Sequence, residues 1–410
     1  MMMFRFSLYG FLKNQTYFEP FLILAFLEKD LSFFQIGILI GFREVCINIF
    51  EIPSGAVADL YGRRRSMIFS FLAYIASFLV FGLSASFAAL FLAMFAFALG
   101  DSFRTGTHKA MIFEWLRIQG RESERTRVYG FTRSWSKIGS AVSVVIASAF
   151  IFTGARYSDI FLLAVIPYTL NIVNFMGYPN ELEGARAADT KIPSVWGHLK
   201  DSMRMAFTDK PLRGILAESM SYEGTYKVAK DYIQPVIQQA ALGLALLATW
   251  QQNQRVAILM GAVYFVLHLL SSFASRGGHR LVAATGSEEA AAKSLWGATA
   301  LIDAALAWGL WTGWESVVIA GFVALAVLQN FWRPVLISRI DAHSTPEAGA
   351  TILSVETQAK SILAMVLAPL IGLCVDAFGL VGVGVVAVLL TLPFALTSLG
   401  GTRERAVHQP

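Results

Sequence analysis

Apolar residues run along this chain in long blocks, broken by short stretches rich in charge, Gly and Pro. A helix needs about 20 consecutive apolar residues to cross a bilayer. Twelve blocks approach that length: 6–27, 32–53, 66–84, 87–113, 128–153, 157–178, 213–239, 254–274, 294–311, 316–338, 347–372 and 379–399. The pattern predicts an all-α membrane protein with twelve transmembrane helices. The seventh block is the least apolar, since it carries Glu218, Glu223, Lys227, Lys230 and Asp231.

The longest polar stretch is 180–212, which contains Pro193 and Pro211 and follows Pro179. It divides the chain into an N-terminal half (1–179), a linker (180–212) and a C-terminal half (213–410), with six spans in each half. The halves share local patterns. Tyr17-Phe18-Glu19-Pro20 in span 1 matches Tyr232-Ile233-Gln234-Pro235 in span 7, and Gly62 after span 2 aligns with Gly278 after span 8 at nearly the same offset. Two matches at one offset indicate a duplicated, pseudo-symmetric pair of six-helix halves. Parallel repeats of this kind place a binding site near the bilayer midplane.

Composition agrees with a chain dissolved in lipid. Of 410 residues, 56% are hydrophobic and only 15% charged; a soluble domain carries about 25% charge. The mean hydropathy is +0.57. The net charge of +5 would suggest nucleic acid in a soluble protein, but here it reads as loop charge that sets topology, and no nucleic-acid partner is expected. Twenty Lys and Arg residues fall in alternate loops, the linker and the two tails, whereas the opposite loops hold Lys29 and Arg156. Positive loops stay inside, so both termini and the linker are expected in the cytoplasm, with the chain in the plasma (inner) membrane. No cleavable signal pattern precedes the first span, which is expected to remain as an anchor.

The segment after span 2 carries the most specific motif: Gly55-Ala56-Val57-Ala58-Asp59-Leu60-Tyr61-Gly62-Arg63-Arg64-Arg65. Gly55 would let a helix end pack closely, and Gly62 would permit a tight reversal at positive φ. Position by position, Gly55, Asp59, Gly62 and the three arginines resemble the loop 2–3 signature of the major facilitator superfamily. The resemblance implies that family's fold, with no cofactor, and a conformational latch formed by Gly55, Asp59, Gly62 and Arg63. The second copy has Ser275 and Ser271 where the first has Asp59 and Gly55, so the latch is not expected to be symmetric. Span 5 has Lys137-Ile138-Gly139-Ser140-Ala141 instead of the Gly-Pro-rich motif of drug/proton antiporters.

Eleven basic residues lie inside predicted spans. Charge at that depth is costly and tends to mark function. Those nearest mid-depth are Arg43, Arg104, Lys137, Lys227, Lys230, Arg333 and Lys360, and they form the candidate substrate-binding set. A cationic lining favours an anion such as an organic carboxylate or a phosphate. Glu19, before the helix-breaking Pro20, and Asp101, one turn from Arg104, are the candidate proton-coupling residues. The chain holds no P-loop, no metal-spaced His/Cys cluster and no nucleophile elbow. The expected function is therefore not enzymatic. It is secondary active transport of a small, anionic solute by alternating access, coupled to protons, by a monomer in membrane lipid. A drug/proton efflux antiporter and a non-transporting receptor are the alternatives.

Overall fold

The computed structural model describes residues 2–183, 210–342 and 349–405. Most of the predicted linker lies outside the described residues. Among those described, all regular structure is helical. Eight helices are long and apolar enough to cross a membrane.

Each predicted span falls on helix. Span 1 is α1 (Met2–Lys13), a 3-10 turn at Glu19–Phe21 and α2 (Leu22–Leu27). Spans 2 and 3 are α3 (Phe33–Tyr61) and α4 (Arg63–Leu83). Span 4 is split into α5 (Phe87–Arg104) and α6 (Thr107–Ile118). Spans 5 and 6 are α7 (Arg125–Phe152) and α8 (Asp159–Met176). Span 7 is split into α9 (Lys210–Ala229) and α10 (Ile233–Gly243) around a 3-10 turn at Lys230–Tyr232. The remaining spans are α11 (Gln252–Thr285), α12 (Glu288–Thr312), α13 (Glu315–Ala342), α14 (Gly349–Phe378) and α15 (Val381–Arg405). The interruptions of spans 1 and 7 fall at the repeated Pro20 and Pro235 segments. A proline inside a helix removes one backbone donor and clashes with the preceding turn.

The chain forms two compact units. Unit 1 is Met1–Leu31, Leu39–Ser194 and Gln251–Gly261; unit 2 is Ser32–Ile38, Val195–Trp250 and Ala262–Pro410. Their internal packing repeats. In unit 1, α4 packs along α5 and α8, and α1 along α7 and α8. In unit 2, α12 packs along α13 and α15, and α9 along α14 and α15. These are the same span pairs shifted by six, so the duplication read from two short motifs extends to the packing plan.

Aromatic rings fill the core of each unit. In unit 1, Phe78 touches Phe18, Phe161 and Tyr168, with ring centroids 4.8–6.5 Å apart. In unit 2, Tyr222 stacks on Trp332 at 4.2 Å, and Trp296 stacks on Phe394 at 4.9 Å. Leu72, Leu79, Ile166, Leu170 and Val173 are instead exposed on the outer faces of α4 and α8. An apolar outer face is what lipid contact requires.

The second motif copy departs from expectation. The stretch Ser271–Arg280 is not a loop, because α11 runs unbroken through it. Ser275 donates to the Ser271 carbonyl at 2.7 Å, within the helix. Gly278 is not at positive φ; its bare Cα permits close approach to Pro334 on α13. The reversal falls later, at Gly286 (φ 82°), before Ser287 caps α12 by accepting from Ala290 N at 3.1 Å.

Candidate functional site

Two glycines bring α1 and α7 together in unit 1. A Cβ on Gly10 would lie 2.9 Å from Ser136 Oγ and from the Thr132 carbonyl, and one on Gly139 would lie 2.5 Å from the Phe11 carbonyl. Gln15 Nε2 donates to the Gly139 carbonyl at 3.1 Å across the same crossing. Small residues permit this approach in a membrane bundle, where packing rather than water exclusion drives association. The crossing puts Lys13 of α1 on the same cavity as Arg133 and Lys137 of α7.

The third wall comes from the break in span 4. Gly106 takes φ 79°, a left-handed conformation suited to glycine. The chain therefore turns between α5 and α6, and Arg104 and Lys109 both line the cavity from this junction. The cavity measures about 380 Å3. Lys13, Arg104, Lys109, Arg133 and Lys137 line it, and among the described residues no carboxylate does.

Aromatic faces support these cations. Lys13 Nζ lies 5.6 Å from the Tyr9 ring centroid, Lys109 Nζ 5.6 Å from Tyr129, and the Arg133 guanidinium 5.9 Å from Tyr129. Such contacts attract a cation without neutralising it. Tyr9 is itself held by His108, whose ring centroid lies 3.8 Å away, and His108 Nε2 sits 3.4 Å from the Tyr178 hydroxyl. Like charges repel. Two of them ~8 Å apart do so by roughly 2 kcal/mol at an effective dielectric of about 20. Cations gathered on one cavity therefore raise its electrostatic energy.

Among the described residues, Arg104 is the one lining cation with a carboxylate partner. Its Nη2 donates to Asp101 Oδ1 at 2.5 Å and its Nε to the Tyr74 hydroxyl at 3.2 Å; that hydroxyl donates to Asp101 Oδ1 at 2.9 Å. Asp101 is not part of the cavity lining. Glu19 sits in the 3-10 turn that interrupts span 1 and accepts from Thr16 Oγ1 at 3.0 Å. Arg43 donates to Glu44 at 2.9 Å, and its guanidinium lies 5.9 Å from the Phe97 ring centroid, away from the cavity lining.

Unit 2 holds a different kind of charge cluster. Arg333 Nη1 lies 3.2 Å from Glu223 and 3.0 Å from Glu356. Lys360 Nζ lies 2.5 Å from Glu223 and 2.9 Å from Glu356. Ser219 donates a further hydrogen bond to Glu356. Two carboxylates and two cations from α9, α13 and α14 thus neutralise one another. Lys227 donates to Ser361 Oγ at 3.2 Å, and Lys230 pairs with Asp231 at 2.6 Å.

Of the seven basic residues singled out in the sequence, Arg104 and Lys137 share the unit 1 cavity, while Arg333 and Lys360 share the unit 2 quartet. Lys13, Lys109 and Arg133 complete the cavity although mid-depth placement did not select them. Their signal was the Arg133/Lys137 spacing of one turn and a lone lysine inside span 1. Among the described residues, no group of three or more His, Cys, Asp and Glu could hold a metal.

At the loop motif, Gly62 ends α3 at φ 104°, as a tight reversal requires, and the Glu183 carboxylate occupies the space a Cβ would take. Arg64 reaches the same carboxylate at 3.2 Å and donates to the Tyr178 carbonyl at 2.9 Å. Among the described residues, nothing lies within 4 Å of a Cβ built on Gly55. The Asp59 side chain lies outside the described residues.

Apolar outer faces around helical bundles, with a charged cavity between helices, belong to a multi-pass membrane protein. Comparison with known proteins gives the family. The chain belongs to the major facilitator superfamily, whose family model matches residues 13–369. It is 29% identical over 227 residues to the MFS-type transporter YxaM of Bacillus subtilis (strain 168). That match spans 54% of each protein, so the chain covers about half the length of this curated relative. Among solved structures, a variant of the nucleoside transporter NupG matches with a TM-score of 0.81 at 12% identity, over 98% of this chain and 99% of that one. A bacterial homologue of the human lysosomal transporter Spinster matches at 0.70 and 15%, over 98% and 96%. A D-xylose–proton symporter matches at 0.63 and 13%, over 95% and 96%. At these identities the likeness is one of fold.

Proposed function

We propose that this chain carries a small anionic solute across the membrane by alternating access, with a proton as the coupling ion. The observation that supports this reading best is the unit 1 cavity, lined among the described residues by Lys13, Arg104, Lys109, Arg133 and Lys137 and by no carboxylate. Bidentate guanidinium and point-charge ammonium donors suit carboxylate or phosphate oxygens.

Coupling follows from the Asp101–Arg104 pair. While Asp101 is ionised it neutralises Arg104. A proton on Asp101 would release that positive charge to the cavity, so proton and anion would each favour binding of the other by the same factor. Glu19, at the interruption of span 1, is the second candidate for the coupling proton. The Gly62 reversal and Arg63 would act in the conformational latch, with both termini on the cytoplasmic side of the plasma membrane.

The test is uptake into proteoliposomes of an anion that stabilises the purified protein, with and without an imposed pH gradient. Accumulation above equilibrium only when the gradient drives protons inward with the solute is expected. Accumulation of organic cations and exclusion of anions would refute the reading.

A further inference from the structure

We infer that the solute of the unit 1 cavity carries at least two negative charges; this rests on the anion reading above and narrows it. Arg104 shares its charge with Asp101 at 2.5 Å. Among the described residues, the other four cations of the lining, Lys13, Lys109, Arg133 and Lys137, have no ion pair with a carboxylate and rest at most against aromatic rings. A monoanion would offset only part of this charge, whereas a dianion or trianion would offset more of it.

The placement of the charges points the same way. Lys13 comes from α1, Lys109 from α6, and Arg133 and Lys137 from successive turns of α7. Cations on three walls are met best by negative groups at several points of one molecule. Three neutral polar side chains of the lining are turned to backbone carbonyls nearby in the chain. Thr132 Oγ1 donates to the Tyr129 carbonyl at 2.9 Å, Ser140 Oγ to the Ser136 carbonyl at 3.3 Å and Asn14 Nδ2 to the Gly10 carbonyl at 2.7 Å. Charge count, more than hydroxyl pattern, therefore sets selectivity. The cavity of about 380 Å3 has room for a compact polycarboxylate or phosphorylated metabolite.

Three probes on one propane skeleton isolate charge: butyrate, glutarate and tricarballylate, with one, two and three carboxylates. Binding is measured on the full chain in nanodiscs of zwitterionic lipid, at fixed ionic strength. Affinity is expected to rise about tenfold with each added carboxylate. Lys137→Gln, at an exposed position that leaves the fold intact, should weaken tricarballylate by about tenfold and butyrate by less than about threefold. Equal affinity for the three probes, or tricarballylate binding untouched by both Lys137→Gln and Arg133→Gln, would overturn the inference while leaving the anion reading standing. Failure of all three probes and of inorganic phosphate to bind would overturn both.

Discussion

Arg104 Nη2 lies 2.5 Å from Asp101 Oδ1, one turn away on α5, and the Tyr74 hydroxyl bonds both residues. This pair links the only carboxylate joined to the unit 1 cavity lining, among the described residues, to a cation of that lining. It fixes how proton uptake and anion binding would communicate. Asp101→Asn should leave Arg104 permanently uncompensated. Anion binding is then expected to tighten by about threefold to tenfold, while accumulation driven by a pH gradient is lost and counterflow exchange persists. Proteoliposome flux with and without the gradient checks both parts.

Glu19→Gln offers the competing assignment. Should Glu19 carry the coupling proton, this variant loses gradient-driven accumulation and retains part of its exchange. Normal accumulation in Glu19→Gln, with loss in Asp101→Asn, would assign coupling to the α5 pair alone.

The unit 2 quartet predicts a stability effect with a rescue. Glu356 is fully buried and meets both Arg333 and Lys360. Removing one partner of a buried ion pair leaves an uncompensated charge and costs about 3–5 kcal/mol. Glu356→Gln should therefore lower the melting temperature clearly. Glu356→Gln combined with Lys360→Met, which removes one cation as well, should regain part of the loss. Thermal unfolding of the purified variants measures this.

The α1–α7 crossing should be intolerant of bulk. Gly139→Val places a side chain where the Phe11 carbonyl stands. Overpacking of this kind costs about 1–3 kcal/mol, and it moves Lys13 away from Arg133 and Lys137. Anion affinity should fall together with stability. Gly130→Val on the same helix, where a Cβ meets nothing within 4 Å, is the control and should change neither.

Much of the architecture was legible because its causes are local. Block length reports a membrane span, and Pro20 and Pro235 mark the interruptions of spans 1 and 7. Gly62 announced a reversal that the backbone adopts at φ 104°. The Ser271–Arg280 copy misled, since a glycine can serve a turn or a close helix contact, and Gly278 serves the latter against Pro334. The charged sites were legible only in part. Spacing along one helix exposes Asp101/Arg104, Arg133/Lys137 and Glu356/Lys360. Spacing cannot show that α1 meets α7 at Gly10 and Gly139 and so adds Lys13 to the cavity. Nor can it show that Glu223 of α9 and Arg333 of α13 join Glu356 and Lys360 in one neutral cluster.

We propose that the unit 1 cavity binds an anion through Lys13, Lys109, Arg133 and Lys137. The most direct measurement is thermal stabilisation of the purified protein by a panel of small anions and organic cations, repeated with Lys13→Gln/Lys137→Gln. Anions are expected to raise the melting temperature of the unaltered protein, and the double variant to lose most of that shift. Stabilisation by cations alone, or an equal anion shift in the double variant, would contradict it.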